Sequence, residues 1–210
     1  MSPGRFITVE GIEGVGKSTQ VAALARTLES RGVAVCVTRE PGGTPLAERI
    51  RSIVLDRGVE DLPPIAELLL MFAARAVHLE GLIEPALRAG RWVLCDRFTD
   101  ATYAYQGGGR GLDPATIESL ESWVQGARRP DLTLLLDLPV ARALERARRR
   151  GAGTDRFESQ RAEFFERVRR VYLERAARES GRVVVIDAAG TPEEVAAAVS
   201  RAVEERRWTS

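Results

Sequence analysis

The residues best suited to chemistry form one short run, Gly11 to Ser18, with the sequence GIEGVGKS. The run matches the pattern GxxxxGK[ST] and lies between an apolar segment and a helical one, as that pattern requires. Its glycines let backbone amides surround phosphate oxygens, and the helix N-terminus adds positive partial charge. The lysine can reach the outer phosphates, and the serine hydroxyl can ligate Mg²⁺. The run therefore predicts a phosphate-donor site with the candidate residues Gly11, Ile12, Glu13, Gly14, Val15, Gly16, Lys17, Ser18 and Thr19.

A second run rich in polar groups, Leu94 to Gly111, begins with an apolar strand pattern that stops at Asp96-Arg97. Hydroxyl, aromatic, amide and glycine residues follow it. An aspartate at such a strand end can orient water on Mg²⁺, and the arginine beside it can hold an anion. Ser18 and Asp96 are therefore the candidate metal residues. This pairing suits two phosphate groups brought side by side.

Three classes of protein use such a phosphate loop: kinases for small acceptors, GTPase switches, and ATP-driven motors or binding modules. The GTPase class requires an Asn-Lys-x-Asp element for base recognition. This chain has no asparagine, and Lys17 is the only lysine among its 31 basic residues, so that element is excluded. Motor ATPases usually have a larger domain and adjacent acids after the third strand, whereas here Arg97 follows Asp96. The sequence therefore favours a kinase.

The composition is typical of a globular protein, with 210 residues, 44% hydrophobic and 29% charged residues and a formal net charge of +1. A net charge so near zero gives no reason to expect nucleic acid or an anionic membrane as a partner. The N-terminal apolar run is too short for a signal peptide, and no apolar run approaches the ~20 residues of a membrane span. Cys36 and Cys95 lie in apolar runs and are expected to be reduced, which fits a cytoplasmic location. We expect one domain, residues 1–210.

Five short and almost continuously apolar segments, separated by helical patterns, predict a parallel sheet that is covered on both faces. The predicted strands are Arg5–Glu10, Val33–Thr38, Trp92–Asp96, Leu132–Asp137 and Arg182–Asp187. Helix starts are predicted at Thr44-Pro45, at Asp113-Pro114 and at a capping box that begins with Thr191. The span 64–90 is predicted to be mostly helical, with a kink or break at Pro85. The predicted fold class is α/β, a three-layer P-loop fold with a five-stranded parallel sheet.

Several segments in consistent order, covering nearly the whole chain, resemble bacterial thymidylate kinases. They are the phosphate loop, REPGGT at 39–44, LLLMFAARAVHL at 68–79, DRF at 96–98, YQGGGRG at 105–111 and DRFE at 155–158. The resemblance implies that ATP phosphorylates dTMP to dTDP with Mg²⁺ as cofactor, by direct in-line transfer without a covalent intermediate. It also implies a homodimer.

The same resemblance implies an acceptor site for dTMP. Arg97 is expected to clamp the 5′-phosphate, because a guanidinium matches two phosphate oxygens. Glu13, inside the phosphate loop, is expected to face the acceptor as well. The candidate substrate-binding residues are Glu40, Arg51, Phe72, Arg75, Arg97, Thr102, Tyr105 and Gln106.

Within that set, the resemblance assigns Arg75 to a ring carbonyl of thymine, and Thr102 and Gln106 to the pyrimidine edge. It assigns Tyr105 to the space below the sugar, where it disfavours a ribose 2′-hydroxyl. Many relatives place the stacking aromatic four positions before the arginine, where this chain has Met71. Both Met71 and Phe72 are therefore candidates to contact the base.

A segment rich in arginine, about 142–156, contains Gly-Ala-Gly at 151–153, which is expected to be flexible, and the segment resembles the lid of these enzymes. A lid that carries arginines can stabilise the charge of the transferred phosphoryl group and exclude water. The predicted catalytic residues are Lys17, Arg97, Glu13, Arg148, Arg150 and Arg156. The adenine is expected near the loop at 188–190.

Two alternatives remain at this stage. One is a P-loop kinase for a different nucleotide or for a nucleoside, and the other is a nucleotide-binding regulator without transfer activity. His78, the only histidine, is interpreted as structural or solvent-facing and not as a catalytic base.

Overall fold

The computed structural model describes residues 4–56, 62–149, 158–206 and 208. Within this part, five parallel strands form one sheet in the order β2-β3-β1-β4-β5. The strands are β1 (Phe6–Glu10), β2 (Val35–Arg39), β3 (Trp92–Asp96), β4 (Leu132–Asp137) and β5 (Val183–Asp187). The predicted α/β class with a five-stranded parallel sheet is confirmed.

Helices connect the strands, and several begin where the sequence predicts. They are α1 (Lys17–Ser30), α2 (Pro45–Leu55), α3 (Pro64–His78), α4 (Glu84–Arg88), α5 (Thr99–Thr102), α6 (Pro114–Gln125), α7 (Val140–Arg149), α8 (Glu158–Arg178) and α9 (Pro192–Glu205). Thr44 and Asp113 cap α2 and α6 through their side chains, and Thr191 forms the predicted capping box with Glu194. These caps satisfy backbone amides that the first helical turn leaves without partners.

The order of the strands brings the two chemical runs together. The chain leaves β1 towards β2 on one side of the sheet, and it leaves β3 towards β4 on the other side. In open parallel sheets the crevice at such a switch point, beyond the carboxyl ends of the strands, is the usual ligand site. Val9 of β1 is in register with Asp96 of β3, so the loops that follow these strands emerge next to each other.

Some predicted boundaries were wrong by one or two residues. The second strand begins at Val35, because the amide of Val33 donates to the carbonyl of Leu28 and still belongs to the end of α1. The helical span around Pro85 continues into α4, and its irregularity is a π-helical stretch, Leu79–Ile83, just before the proline. A proline lacks the amide and crowds the preceding turn, which explains the wider turn at that place.

The main core lies between the sheet and the helices that cover it, and includes Val9 and Leu134 at 0% exposure. A second cluster contains Phe6 and Phe98, whose rings meet edge to face at 4.9 Å. Both cysteines are buried as free thiols, as the sequence predicts. Among the described helices none combines the length and apolar character needed to cross a bilayer.

Candidate active site

The phosphate loop follows β1 and wraps the N-terminus of α1, as the pattern predicts. Gly11, Gly14 and Gly16 have φ values of 132°, 89° and 97°, which side chains rarely tolerate. A Cβ on Gly14 would lie 1.9 Å from the carbonyl oxygen of Ala143, so the loop packs directly against α7. The glycines therefore serve both the loop conformation and its contact with the predicted lid segment.

Lys17 folds back over this loop, and its Nζ donates to the carbonyl oxygen of Ile12 at 2.9 Å. Burial, together with the nearby charge of Arg97, lowers the pKa of Lys17 to about 7, while Asp96 and Glu10 oppose the shift. Two cations therefore face the same small volume. Negatively charged phosphate oxygens placed there would be stabilised by a cation on each side.

Ser18 and Asp96, the candidate metal residues, are in contact, since the Ser18 hydroxyl donates to Asp96 Oδ2 at 2.9 Å. A hydroxyl and a carboxylate are the hard oxygen donors that Mg²⁺ prefers. In the described ranges no group of three or more His, Cys, Asp or Glu could form a metal cage. The pair therefore fits a Mg²⁺ that takes its remaining ligands from phosphates and water.

A cavity of about 660 Å³, here called the donor cavity, opens beside the phosphate loop. Its walls include Gly14, Gly16 and Thr19 from the loop and the segment 188–190 after β5, where the adenine is expected. Arg146 and Arg149 of α7 also line it, and Arg146 donates to the carbonyls of residues 188 and 189 at 2.8 and 3.1 Å. The donor cavity thus joins the loop, the predicted adenine segment and the described end of the lid.

The structure covers the predicted lid only up to Arg149. Arg148 is exposed near the end of α7. Arg150 and Arg156, the other two predicted catalytic arginines of the lid, lie outside the described residues.

A second cavity of about 420 Å³, here called the acceptor cavity, lies on the other side of the loop. Six of the predicted residues line it: Glu13, Glu40, Arg51, Arg97, Tyr105 and Gln106. The guanidinium of Arg97 lies 4.6 Å from the centre of the Tyr105 ring. Arg51 donates to the carbonyl of Pro41 at 2.8 Å, and burial together with the charge of Arg39 lowers its pKa. This cavity therefore carries a cluster of cations at one end.

The two candidates for base contact, Met71 and Phe72, lie in different surroundings on α3. Met71 lines the acceptor cavity, whereas Phe72 is only 2% exposed and packs in a cluster with Leu68 and Ile117. The stripe Glu67, Met71, Arg75 repeats at four residues, which places these side chains on one face of the helix. The structure therefore directs Met71 towards the cavity and Phe72 into the core.

Arg75 and Thr102 lie in the protein interior, where the guanidinium donates to the Thr102 hydroxyl at 2.9 Å. The guanidinium also lies between the Phe72 and Phe98 rings, 4.8 and 5.0 Å from their centres. Its Nη1 is buried and has no hydrogen-bond partner among the described residues. An unpaired buried donor is unfavourable, so a ligand carbonyl that reached Nη1 would remove an existing penalty.

Glu40 connects Arg75 to the buried imidazole of His78. One carboxylate oxygen accepts from Arg75 Nε at 2.8 Å, and the other is 3.0 Å from His78 Nδ1. The other ring nitrogen of His78 is 2.7 Å from the Thr38 hydroxyl. His78 is 0% exposed. His78 is therefore a structural residue that contacts Glu40, as one of the two interpretations predicts. The other interpretation, that His78 faces solvent, was wrong.

Several lining residues of the acceptor cavity are not among those predicted from the sequence. Glu67 accepts from Gln106 Nε2 at 2.7 Å and from Arg110 at 3.0 Å. Its position eight residues before Arg75 on α3 was the available signal. Phe165 also lines the cavity and comes from α8, which lies too far along the chain for any local pattern to indicate it.

Another missed residue, Arg161 of α8, donates to Glu13 Oε2 at 2.6 Å. A carboxylate in a phosphate loop would repel phosphate unless a cation balances it. Arg161 provides that cation, and it reaches the loop from the helix that follows the predicted lid. Local spacing along the chain carries no signal for this pair, because its two residues are separated by 148 positions.

Comparisons with known proteins identify the relatives of this chain. The family model for thymidylate kinase matches residues 9–199. The chain is 58% identical over 207 residues to the thymidylate kinase of Chromohalobacter salexigens, which covers 98% of both chains. It is 59% identical over 186 residues to that of Pseudomonas fluorescens, covering 89% of this chain and 88% of the relative.

Among solved structures, the crystal structure of thymidylate kinase from Ehrlichia chaffeensis matches with a TM-score of 0.80 at 34% identity. The match covers 96% of this chain and 100% of that one. Sequence and fold thus agree over almost the full length, and the chain belongs to the thymidylate kinase family.

Proposed function

We propose that the protein phosphorylates dTMP to dTDP, with ATP as donor and Mg²⁺ as cofactor. The observation that carries this proposal is the shared wall between the two cavities. Glu13 lines the acceptor cavity, and its neighbour Gly14 lines the donor cavity. Two ligands bound on either side of one loop would bring their phosphates together over Lys17 and Arg97.

Direct in-line transfer follows from the nature of these groups. Phosphoryl transfer needs positioning and positive charge more than a strong base, because the acceptor phosphate is already ionised near neutral pH. Lys17 would contact the transferred group, and Arg97 would hold the acceptor phosphate with two hydrogen bonds. When bound, Mg²⁺ supplies further charge to the donor phosphates, and Ser18 and Asp96 are the residues that would hold it.

Recognition of thymine would use the far end of the acceptor cavity. Met71 offers a polarizable thioether for contact with the flat ring. The unpaired Nη1 of Arg75 suits a ring carbonyl, and Gln106, whose Oε1 has no partner in the described structure, suits the pyrimidine N–H. Tyr105 would limit the space near the sugar.

The lid arginines at 148, 150 and 156 are proposed to supply charge to the donor phosphates when the lid closes, which would also exclude water.

A homodimer is proposed as well. Large apolar side chains are exposed on neighbouring helices, with Leu46 and Ile53 on α2 and Leu69 on α3 each about half exposed. A cytoplasmic location is proposed as well, and the two free buried thiols support it.

The test is a coupled assay of ADP formation with dTMP, dUMP, UMP, CMP, AMP and thymidine as acceptors. We expect dTMP to have the highest kcat/KM, and faster turnover of UMP would contradict the substrate assignment. ATP binding without any formation of dTDP would favour the regulator alternative.

Arg97→Ala should weaken dTMP binding by roughly 2–5 kcal/mol and ATP binding much less. Lys17→Ala should lower kcat by orders of magnitude while dTMP still binds.

A further inference from the structure

Glu10, the last residue of β1, has no part in the phosphate-loop pattern but occupies a central position in the site. Its side chain is 0% exposed. One carboxyl oxygen accepts from the backbone amide of Phe98 at 2.7 Å, and the other accepts from the Tyr172 hydroxyl at 2.8 Å. One side chain thus joins β1, the loop after β3 and helix α8.

The residue before Phe98 has an unusual backbone. Arg97 has a φ of 73° and is the only residue other than glycine with a positive φ in the described ranges. Such a conformation is unfavourable for a side chain with a Cβ and persists only where the surroundings fix it. At functional sites, a fixed strained backbone commonly aims one side chain. The question is therefore which groups hold Arg97 in place.

Three contacts fix the backbone around Arg97. Its own amide donates to the carbonyl of Val9 at 3.1 Å, and its carbonyl accepts from the Cys95 thiol at 2.9 Å. The third contact is the amide of Phe98 on Glu10. Through this contact, the Glu10 side chain on β1 sets the direction of the backbone that follows Arg97.

Glu10 also borders the group against which the Arg97 side chain packs. The guanidinium lies over the Tyr105 ring, and the Tyr105 and Tyr172 rings meet edge to face with their centres 6.4 Å apart. Tyr172 in turn donates to Glu10. The carboxyl group therefore holds the backbone of Arg97 directly, and it holds the aromatic support of the guanidinium through Tyr172.

We propose that Glu10 is a positioning residue for the acceptor-phosphate clamp: by accepting the Phe98 amide, it fixes the strained backbone that aims the Arg97 guanidinium at the phosphate of dTMP. The inference rests on the proposed function of Arg97. The titratable and charged groups near Glu10 include Asp100, Arg97, Tyr172, Tyr105, Lys17 and Cys95. Burial and the charge of Asp100 raise the pKa of Glu10 to about 8. Both the neutral and the ionised carboxyl can accept the amide, so the role does not depend on ionisation.

The test compares three replacements of Glu10 in the full-length enzyme. Glu10→Met keeps the bulk but offers no acceptor, and Glu10→Asp keeps the carboxyl but is one methylene too short to reach the amide. Both should raise KM for dTMP about tenfold and KM for ATP less than about threefold, the split expected when one ligand's site is disturbed. Glu10→Gln keeps an acceptor of the same length and should restore most of the dTMP affinity. Equal changes in both KM values, or no change in either, would overturn the proposal.

A matched control separates positioning from general destabilisation. Thr8 lies two residues earlier on the same face of β1, and its hydroxyl shares a buried hydrogen bond of 2.8 Å with Thr133. Thr8→Val should lower the melting temperature without splitting the two KM values. If Glu10→Met does not fold, Glu10→Asp carries the comparison with Glu10→Gln alone.

Arg97→Ala distinguishes a failure of the positioning role of Glu10 from a failure of the Arg97 clamp itself. If Arg97→Ala raises KM for dTMP and the Glu10 replacements add nothing in that background, Glu10 acts through Arg97, as proposed. If Arg97→Ala raises KM for dTMP but Glu10→Asp does not, this inference fails and the clamp stands. If Arg97→Ala leaves KM for dTMP unchanged, the proposed clamp itself fails, and the role of Glu10 fails with it.

Discussion

Replacement of Glu40 by glutamine tests the buried charge network behind the acceptor cavity. The side chains of Glu40 and Arg75 are 3% and 0% exposed, and their ion pair measures 2.8 Å. Glu40→Gln keeps the shape and one acceptor but removes the negative charge. The guanidinium of Arg75 would then remain in the interior without that counter-charge, bonded to the Thr102 hydroxyl and packed between the Phe72 and Phe98 rings.

The expected size of the effect follows from this burial. Removal of one partner from a buried ion pair destabilises a protein by ~3–5 kcal/mol, and the amide that remains places the variant near the lower end. In a chain of this length each kcal/mol lowers the melting temperature by about 2–4 °C. We therefore expect Glu40→Gln to melt roughly 6–12 °C below the wild type.

The assay is thermal and urea unfolding of the ligand-free protein, with an exposed ion pair as control. Glu204 pairs with Arg31 on the surface, where the side chains are 46% and 53% exposed. Glu204→Gln should lower the stability by less than about 1 kcal/mol. Since the two residues interact, Arg75→Gln combined with Glu40→Gln should cost less than the sum of the single changes. If Glu40→Gln and Glu204→Gln unfold alike, Glu40 is not the counter-charge of Arg75.

Three further results are expected. Because the pKa of Lys17 is lowered to about 7, ATP binding at pH 7.5 should take up protons; calorimetry in buffers of different ionisation enthalpy should detect this uptake, and Lys17→Arg should abolish it. Burial raises the pKa of Glu10 from 4.5 to about 8, so between these pH values the native state binds more protons than the unfolded state. The free energy of unfolding should therefore fall as pH rises, by at most about 1.4 kcal/mol per pH unit. Urea unfolding of Glu10→Gln from pH 5.5 to 7.5 should lack this slope, and a slope identical to that of the wild type would contradict the shift. Gly14→Ala should lower both ATP affinity and melting temperature because its Cβ would meet the Ala143 carbonyl at 1.9 Å, whereas Gly32→Ala, also at positive φ but with open space around it, should leave ATP affinity intact.

The features that the sequence predicts correctly are those that depend on local backbone physics. The phosphate loop follows from its glycines and lysine, since the conformation of a strand, a tight loop and a helix start depends on neighbours in the chain. The five strands were identifiable from continuous apolar runs, and the capped helix starts from Thr44, Asp113 and Thr191. Once the family was recognised, the residues that line the acceptor cavity followed in large part from their motifs.

The sequence did not separate neighbours whose helical positions differ by one. Met71 and Phe72 are both apolar and adjacent, and only the packing of α3 against Ile117 of α6 turns Phe72 into the core. The spacing of four from Arg75 to Met71 and to Glu67 contained part of this information. This spacing identifies the side chain that faces the cavity only when the buried face of α3 is known. That face is determined by the helices that pack against α3.

By itself, the sequence determined a strand-loop-helix phosphate site, an α/β sheet and the membership of one enzyme family, because these depend on short-range backbone geometry and on motifs in order. The tertiary structure decided the pairing of charges across the site. Arg75 meets Glu40 across 35 positions, and Arg161 meets Glu13 across 148. No local pattern encodes such pairs, since they arise when the switch point of the sheet brings distant loops together and burial then requires each charge to find a partner.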